Sequence, residues 1–492
     1  MTSHDDSIER GGRRAFLGTA AMGAAALAVG CAGEGAGPGA DAGLASDGAT
    51  PPIDGASPLD AASDAGSPDA GPPPVPPEDT PEASTFALGV ASGDADETRI
   101  VCWTRHDGDA PLSLEVWLME GETYARTIHA GPAERAEGGF VHVAVSGLVP
   151  GARHRYAFFE LDGEARAARS PIGRFRAPLA STAREPLLIG AVSCTSNGRD
   201  KATLEHAGSR DDLDVFLCLG DTTYNDGSES LAEFREKWDE SLGSAGWRAT
   251  RQSTSLLCTW DDHEVDNDYD PERVDASVLQ SATRTFFEHQ PVARIADAPD
   301  RIWRSRRWGL TAELFVLDCR SERRPSTRSG SDPIYVSRAQ MDWLKAGLAA
   351  SPCTFKLILN SVPITDFPGV FDVLARDRWE GYAAQREEIL RFIEDSALTG
   401  VLWISGDFHL ASMGRIGATE SAVGGTQIEV LAGPGAQGGN ILAESLRAPQ
   451  FDWASTTNNY TTFELEPALT RVRVRFHDSG GSVVQTGEYV LG

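Results

Sequence analysis

Apolar and polar residues alternate with a period of two through the stretches 99–105, 112–118, 140–145 and 154–159. Each stretch therefore puts every second side chain on one apolar face, which predicts short, half-buried strands. Turn residues separate them at close spacing, and no helical period intervenes. A β-sandwich of roughly 90 residues is expected over 85–180. From residue 185 the pattern changes. Short apolar runs at 187–192, 215–219, 255–259, 314–317, 355–359 and 401–404 suit strands buried on both faces. Amphipathic stretches at 231–242, 276–289, 337–349 and 380–395 fall between them. Strands alternating with helices predict an α/β domain over 185–492. Further strands at 428–431, 461–465, 471–476 and 482–489 are expected to close its second sheet.

Residues 1–84 follow neither pattern. Arg13-Arg14-Ala15-Phe16-Leu17 is a twin-arginine sequence, and an apolar, small-residue run continues to Gly30. An export signal over 1–31 is expected. The run is too short to be a membrane span. Leu27-Ala28-Val29-Gly30-Cys31 resembles a lipobox. Cleavage before Cys31 would leave a lipid anchor on it; simple cleavage would leave a free N-terminus. Residues 32–84 are mostly Gly, Ala, Asp, Ser and Pro. They bury too little apolar surface to offset chain entropy, so a disordered, extended linker is expected.

Charge sharpens this division. The 492 residues carry a net charge of -28, of which 1–31 hold none and 32–84 hold ten acids and no base. The rest is therefore still strongly acidic. That balance argues against nonspecific nucleic-acid binding, which needs cations for phosphates, and against docking of a basic patch on anionic lipid. The expected product is an exported monomer, either periplasmic, anchored to a membrane as a lipoprotein, or extracellular.

Five predicted strands end in polar residues of an unusual kind. They are Ser193-Cys194, Gly220-Asp221-Thr222-Thr223-Tyr224, Trp260-Asp261-Asp262-His263-Glu264, Asn360-Ser361 and Gly406-Asp407-Phe408-His409. One such end is usually a turn or helix cap. Several in register along one sheet converge on one edge. Gathered carboxylates repel one another unless cations hold them. Carboxylate, imidazole, thiolate and phenolate together can build a multi-metal site. Each also has a plain structural role. Tyr224 and Cys194 could be core residues. Asp261 could orient its neighbours as readily as bind metal, and Glu264 suits that supporting role better. Arg320 is a candidate phosphate contact. With Arg323, Arg324 and Arg328 it could form a basic rim that draws in anions. The Gly-rich stretch 433–439 lacks the phosphate-loop spacing and is expected at the pocket rim.

These motifs, with Gly89-Val90-Ala91-Ser92-Gly93-Asp94 and Cys102-Trp103-Thr104-Arg105 ahead of them, resemble the alkaline phosphatase D (PhoD-like) family of calcineurin-like metallophosphoesterases. The resemblance spans residue 86 to beyond 410. It implies a four-layer αββα fold behind a fibronectin type III-like β-sandwich. It implies a site of Fe3+ and Ca2+, with Cys194, Asp221, Tyr224 and Asp407 on the iron and His409 in or beside that set. Asp221 would bridge to calcium, Asp262 would bind calcium, and Asp261 and Asn360 are further candidate ligands. His263 would donate to the phosphate. The implied reaction is hydrolysis of phosphomonoesters or phosphodiesters by a metal-bound oxide or hydroxide. Two rivals are a phospholipase D-like diesterase on the same site and a surface binding protein with a degenerate phosphatase body. Purple acid phosphatases share Gly-Asp-x-x-Tyr, but would carry Asn-His where this chain has Asp262-His263.

Overall fold

Strands apolar on both faces must be covered on both faces, and two stacked sheets with outer helices meet that demand. The structure is a computed structural model that describes residues 73–374 and 376–492, and at 372–374 the backbone alone. The expected export signal and most of the linker, 1–72, lie outside the described residues. Among those described, no helix is long and apolar enough to cross a membrane.

One sheet has nine strands, in the order Val483–Val490, Arg471–Asp478, Asn459–Glu466, Leu187–Val192, Val215–Leu219, Ser255–Thr259, Val90–Gly93, Arg99–Arg105 and Phe140–Ser146. The other has seven: Arg304–Trp308, Ala312–Val316, Phe355–Asn360, Val401–Ser405, Ile428–Leu431, Ala411–Arg415 and Phe451–Ser455. Strand alternation builds the layers. Leu217 and Leu219 pack between the sheets with Leu357, Leu359 and Ile404. Their neighbours Phe216 and Cys218 face outward, beneath Phe234 and Trp238 of helix Leu231–Leu242 and Trp247 of helix Ala245–Ser253. On the far side, Ile358 and Trp403 lie beneath Leu344 and Ile389 of helices Arg338–Ala350 and Ala383–Asp395. The result is the four-layer αββα arrangement. Ser230 and Glu233 close a capping box at the start of Leu231–Leu242, satisfying N–H groups the helix cannot bond itself.

The expected leading β-sandwich forms and is continuous with the α/β body: Val90–Gly93 pairs in parallel with Ser255–Thr259, so three of its strands extend the nine-stranded sheet. The sandwich core, with Val90, Ile100, Leu114 and Phe158, lies between that extension and a five-stranded sheet. Period-two alternation reveals a strand but not its partner. Three other expectations change. The linker ends earlier than its composition suggests. Arg166 donates to the Val75 and Pro76 carbonyls, and Arg169 pairs with Glu82 at 3.0 Å, so the last residues of 32–84 lie against the sandwich. The closing strands divide. Ile428–Leu431 joins the second sheet, whereas Asn459–Glu466 and its two successors return to the first. The predicted helix at 380–395 begins as a tight 3₁₀ turn, Trp379–Tyr382, before Ala383–Asp395.

A candidate metal centre at the ends of two sheets

The five polar strand ends do not lie along one sheet. Cys194, Asp221 and the Asp261–Glu264 turn follow strands of the nine-stranded sheet, and Asn360 and Asp407 close strands of the other. The site therefore forms where the C-terminal ends of both sheets meet. Cys194, Asp221, Asp407 and His409 all adopt the left-handed backbone region, with φ between 49° and 62°. Non-glycine residues rarely do so unless the surroundings compel it. Gly220 lets two of these turns touch. It has φ of 95°, and a Cβ there would fall 2.5 Å from the Asp261 Cβ.

The side chains converge as the metal reading requires. Ligand atoms of Cys194, Asp221 and His409 lie within 4.8 Å of one another, as do those of Asp221, Asp262 and His263, and of Asp261, Asp262 and Asp407. Asp221 and Asp262 are shared between groups. Tyr224 Oη donates to Asp221 Oδ2 at 3.3 Å and lies 3.3 Å from His409 Nε2. Asp221 Oδ1 is buried with no hydrogen-bond partner. A buried carboxylate oxygen left bare is costly, and a cation between the groups would satisfy it. Burial pushes the Cys194 thiol, the Asp221 and Asp407 carboxyls and the Tyr224 hydroxyl upward, and neighbouring carboxylates add to each shift. Only a strong nearby cation would let all four ionise together. The donor set thus fits a metal centre.

Other residues hold this set in place. Glu264 accepts from the backbone N–H of Asp221 at 3.0 Å, Thr222 at 2.6 Å and Asp261 at 2.8 Å. One buried carboxylate thereby fixes two ligand-bearing turns. The Gly-rich stretch 433–439 braces a third: Gly435 and Ala436 donate to the Ser193 and Cys194 carbonyls at 2.8 and 3.1 Å.

Two expected roles are corrected. Asn360 is fully buried, and its amide is already engaged. Its Oδ1 accepts from Cys319 Sγ and Trp379 Nε1, and its Nδ2 donates to Ser405 Oγ, so it braces strand ends and does not face the cluster. Arg320 is fully buried, not free to meet phosphate. It grips both Asp261 oxygens at 2.7 and 2.9 Å, and reaches Asp377 at 2.7 Å and Asp407 at 3.1 Å. Asp261, also bonded by Ser361 Oγ at 2.7 Å, is spent on orienting that arginine. Arg323 is likewise buried, giving its guanidinium to the Asp377 and Tyr269 carbonyls. Of the expected basic rim, Arg323 and Arg328 line the cleft, joined there by Arg273, Arg376 and Arg378. The cleft holds about 900 Å³ and reaches Asp407 and His409.

Three carboxylates went unnoticed in the sequence. Asp268 and Asp377 group with Asp262 within 4.8 Å. Asp226 holds His263 Nδ1 at 2.7 and 2.9 Å, which leaves Nε2 free. Asp226 lies just beyond Gly220-Asp221-x-x-Tyr224 and could have been noticed there; Asp377 carries no local signal. Burial works against charge on His263, but Asp221, Asp226 and Asp262 outweigh it and raise its pKa to about 10. Asp226→Asn is therefore expected to lower the turnover number about 10- to 100-fold with little change in KM. Loss of the carboxylate lowers the His263 pKa, so protonated imidazole disappears at lower pH. The alkaline limb of the rate profile should move down in pH, and an unmoved limb would exclude this role.

An N-terminal β-sandwich joined to an α/β body, with shared carboxylates where its sheets end, defines a metallophosphoesterase-type protein. The chain belongs to the PhoD-like phosphatase family: the family model matches residues 189–463, and the model of its N-terminal domain matches 72–178. Alkaline phosphatase D of Bacillus subtilis (strain 168) is 26% identical over 379 residues, which are 66% of this chain and 64% of that protein's length. The solved structure of PhoD aligns with a TM-score of 0.71 at 21% identity, over 83% of this chain and 91% of that one. A purple acid phosphatase from yellow lupin seeds (Lupinus luteus) aligns at 0.58 with 12% identity, over 81% and 73%.

Proposed function

We propose that this protein is an exported, metal-dependent hydrolase of phosphate monoesters, phosphate diesters or both. The observation that carries this reading is Asp221, shared by two ligand groups and left with a bare buried oxygen between them. Cys194, Asp221, Tyr224 and Asp407 would hold Fe3+, with His409, whose ligand atom groups with those of Cys194 and Asp221, in or beside that set, and Asp221 and Asp262 would hold Ca2+. When bound, such ions supply an activated water and Lewis acidity toward a phosphoryl oxygen. The chain's own residues do the rest. His263, aimed by Asp226, donates through Nε2 to a phosphoryl or leaving-group oxygen. Arg320 holds Asp261, Asp377 and Asp407 in fixed positions. Of the cleft arginines, Arg273, Arg328 and Arg376 are the ones placed to draw in the anionic ester, against five carboxylates in the same lining. Residues 1–31 would direct export by the twin-arginine route, with Cys31 as the lipid anchor if it is modified.

The test is direct. Purified full-length protein should contain iron and calcium and should turn over nitrophenyl phosphate or its bis-ester. A visible phenolate band lost in Tyr224→Phe would support iron on that residue. No bound metal and no turnover of either ester would overturn the reading.

A further inference from the structure

With Arg320 spent on buried carboxylates, the phosphoryl group itself has no guanidinium. Arg273, Arg328 and Arg376 share the cleft lining with Asp268 and Asp377. Arg199 stands elsewhere, five residues after Cys194. The segment between them has a fixed course. The Ser196 N–H donates to the Ala436 carbonyl at 3.1 Å, continuing the pairing of Cys194 with the 433–439 loop. Asn197 Oδ1 accepts from the Tyr224 N–H at 3.1 Å, and its Nδ2 donates to the Lys237 carbonyl at 3.0 Å. Gly198, with φ of 68°, then turns the chain in the left-handed region. The Arg199 side chain that follows is exposed and lies against Gly438, where a Cβ would fall 3.8 Å from its Nη2. Two residues beyond Gly438, Asn440 lines the cleft, and its N–H donates to the His409 carbonyl at 3.0 Å. The charge of Arg199 is felt at His409. Among the described residues Arg199 forms no ion pair; Glu240, which accepts from Asn197, pairs with Lys237 at 3.9 Å. An exposed arginine is ordinary. One carried to the rim of two ligand-bearing turns on a pinned backbone, with its fork of donors unengaged, is placed to meet an anion.

We propose that Arg199 binds unesterified oxygens of the substrate phosphoryl group from the His409 side of the metal centre. This role rests on the phosphoesterase reading and deepens it. The planar guanidinium can meet two phosphoryl oxygens in parallel hydrogen bonds. The cleft arginines draw the ester in, and Arg199 holds its phosphate once it has arrived.

Orthophosphate, the product of any monoester, tests the contact without relying on turnover. Calorimetry on the full-length, metal-loaded protein should show Arg199→Gln binding orthophosphate about 10- to 100-fold more weakly than the parent, as expected for loss of charge-assisted hydrogen bonds. Arg199→Lys keeps the charge without the fork and should recover only part of the affinity. The loss should persist at about 0.5 M salt, where screening removes long-range attraction. Both variants should keep the parent's metal content and thermal midpoint, because the side chain is exposed. Unchanged phosphate affinity, or a loss that vanishes in salt, would overturn the contact. Loss of metal from either variant would also overturn it, in favour of a structural role. Nitrophenyl phosphate and its bis-ester separate the two levels of inference. Turnover by the parent with kcat and KM unmoved in Arg199→Gln would overturn the contact alone. Orthophosphate binding that depends on Arg199, without turnover of either ester, would uphold the contact and overturn the hydrolase reading.

Discussion

Glu264→Ala is expected to destabilise the protein by about 3–5 kcal/mol and to strip the metal centre. The magnitude follows from what Glu264 does. Its two oxygens serve three buried N–H groups, those of Asp221, Thr222 and Asp261. Each donor left without a partner costs about 1–3 kcal/mol, and an alanine methyl replaces none of the bonds. The local consequence is larger than the global one, because those three donors lie on two ligand-bearing turns. Asp221, held in a left-handed conformation with φ of 52°, would lose the bond that fixes its backbone. Denaturant unfolding would give the energy, and metal analysis of the purified variant would give the occupancy. Glu264→Gln keeps one acceptor oxygen and should fall between the parent and the alanine variant on both measures. Full metal content in Glu264→Ala would show that the turns hold their shape without it.

Much of this site could be read from the sequence because its chemistry lies at the ends of strands, where pattern and composition change together. Gly220-Asp221, Asp262-His263 and Gly406-Asp407-x-His409 each follow an uninterrupted apolar run, and the structure brings their side chains together. Two features were beyond the reach of local pattern. One is the partner of each strand. Nothing within 99–105 says that it continues the sheet of 255–259, since alternation is the same in an isolated sandwich and in an extended sheet. The other is the partner of each charge. Arg320 follows a strand as a phosphate-binding arginine would. Only the fold places Asp261, 59 positions earlier, and Asp377, 57 positions later, within hydrogen-bond reach of it. Asn360 illustrates the same limit: it occupies a strand end like the ligands, but its amide faces Cys319, Trp379 and Ser405.

Removal of Arg320 tests its reassignment from phosphate contact to internal cation. Arg320→Met should destabilise the protein by about 3–5 kcal/mol, the usual cost of leaving buried charges uncompensated. The effect should depend on pH in a definite direction. In the parent protein burial alone would push Asp262 up, but Arg320 and His263 outweigh it and hold the carboxyl at about 2. Without the guanidinium, Asp261, Asp262 and Asp377 would ionise at higher pH in the folded protein than in the unfolded chain. A carboxyl shifted that way costs stability above its unfolded pKa and little below it. The deficit of the variant should therefore grow from about pH 4 toward neutrality and shrink on acidification. Thermal midpoints across that range would measure it. Arg320→Met combined with Asp261→Asn should recover part of the loss, because Asp261 uses both oxygens on the arginine. A residue that only greeted substrate phosphate would behave otherwise: its loss would raise KM and leave the thermal midpoint unchanged at every pH.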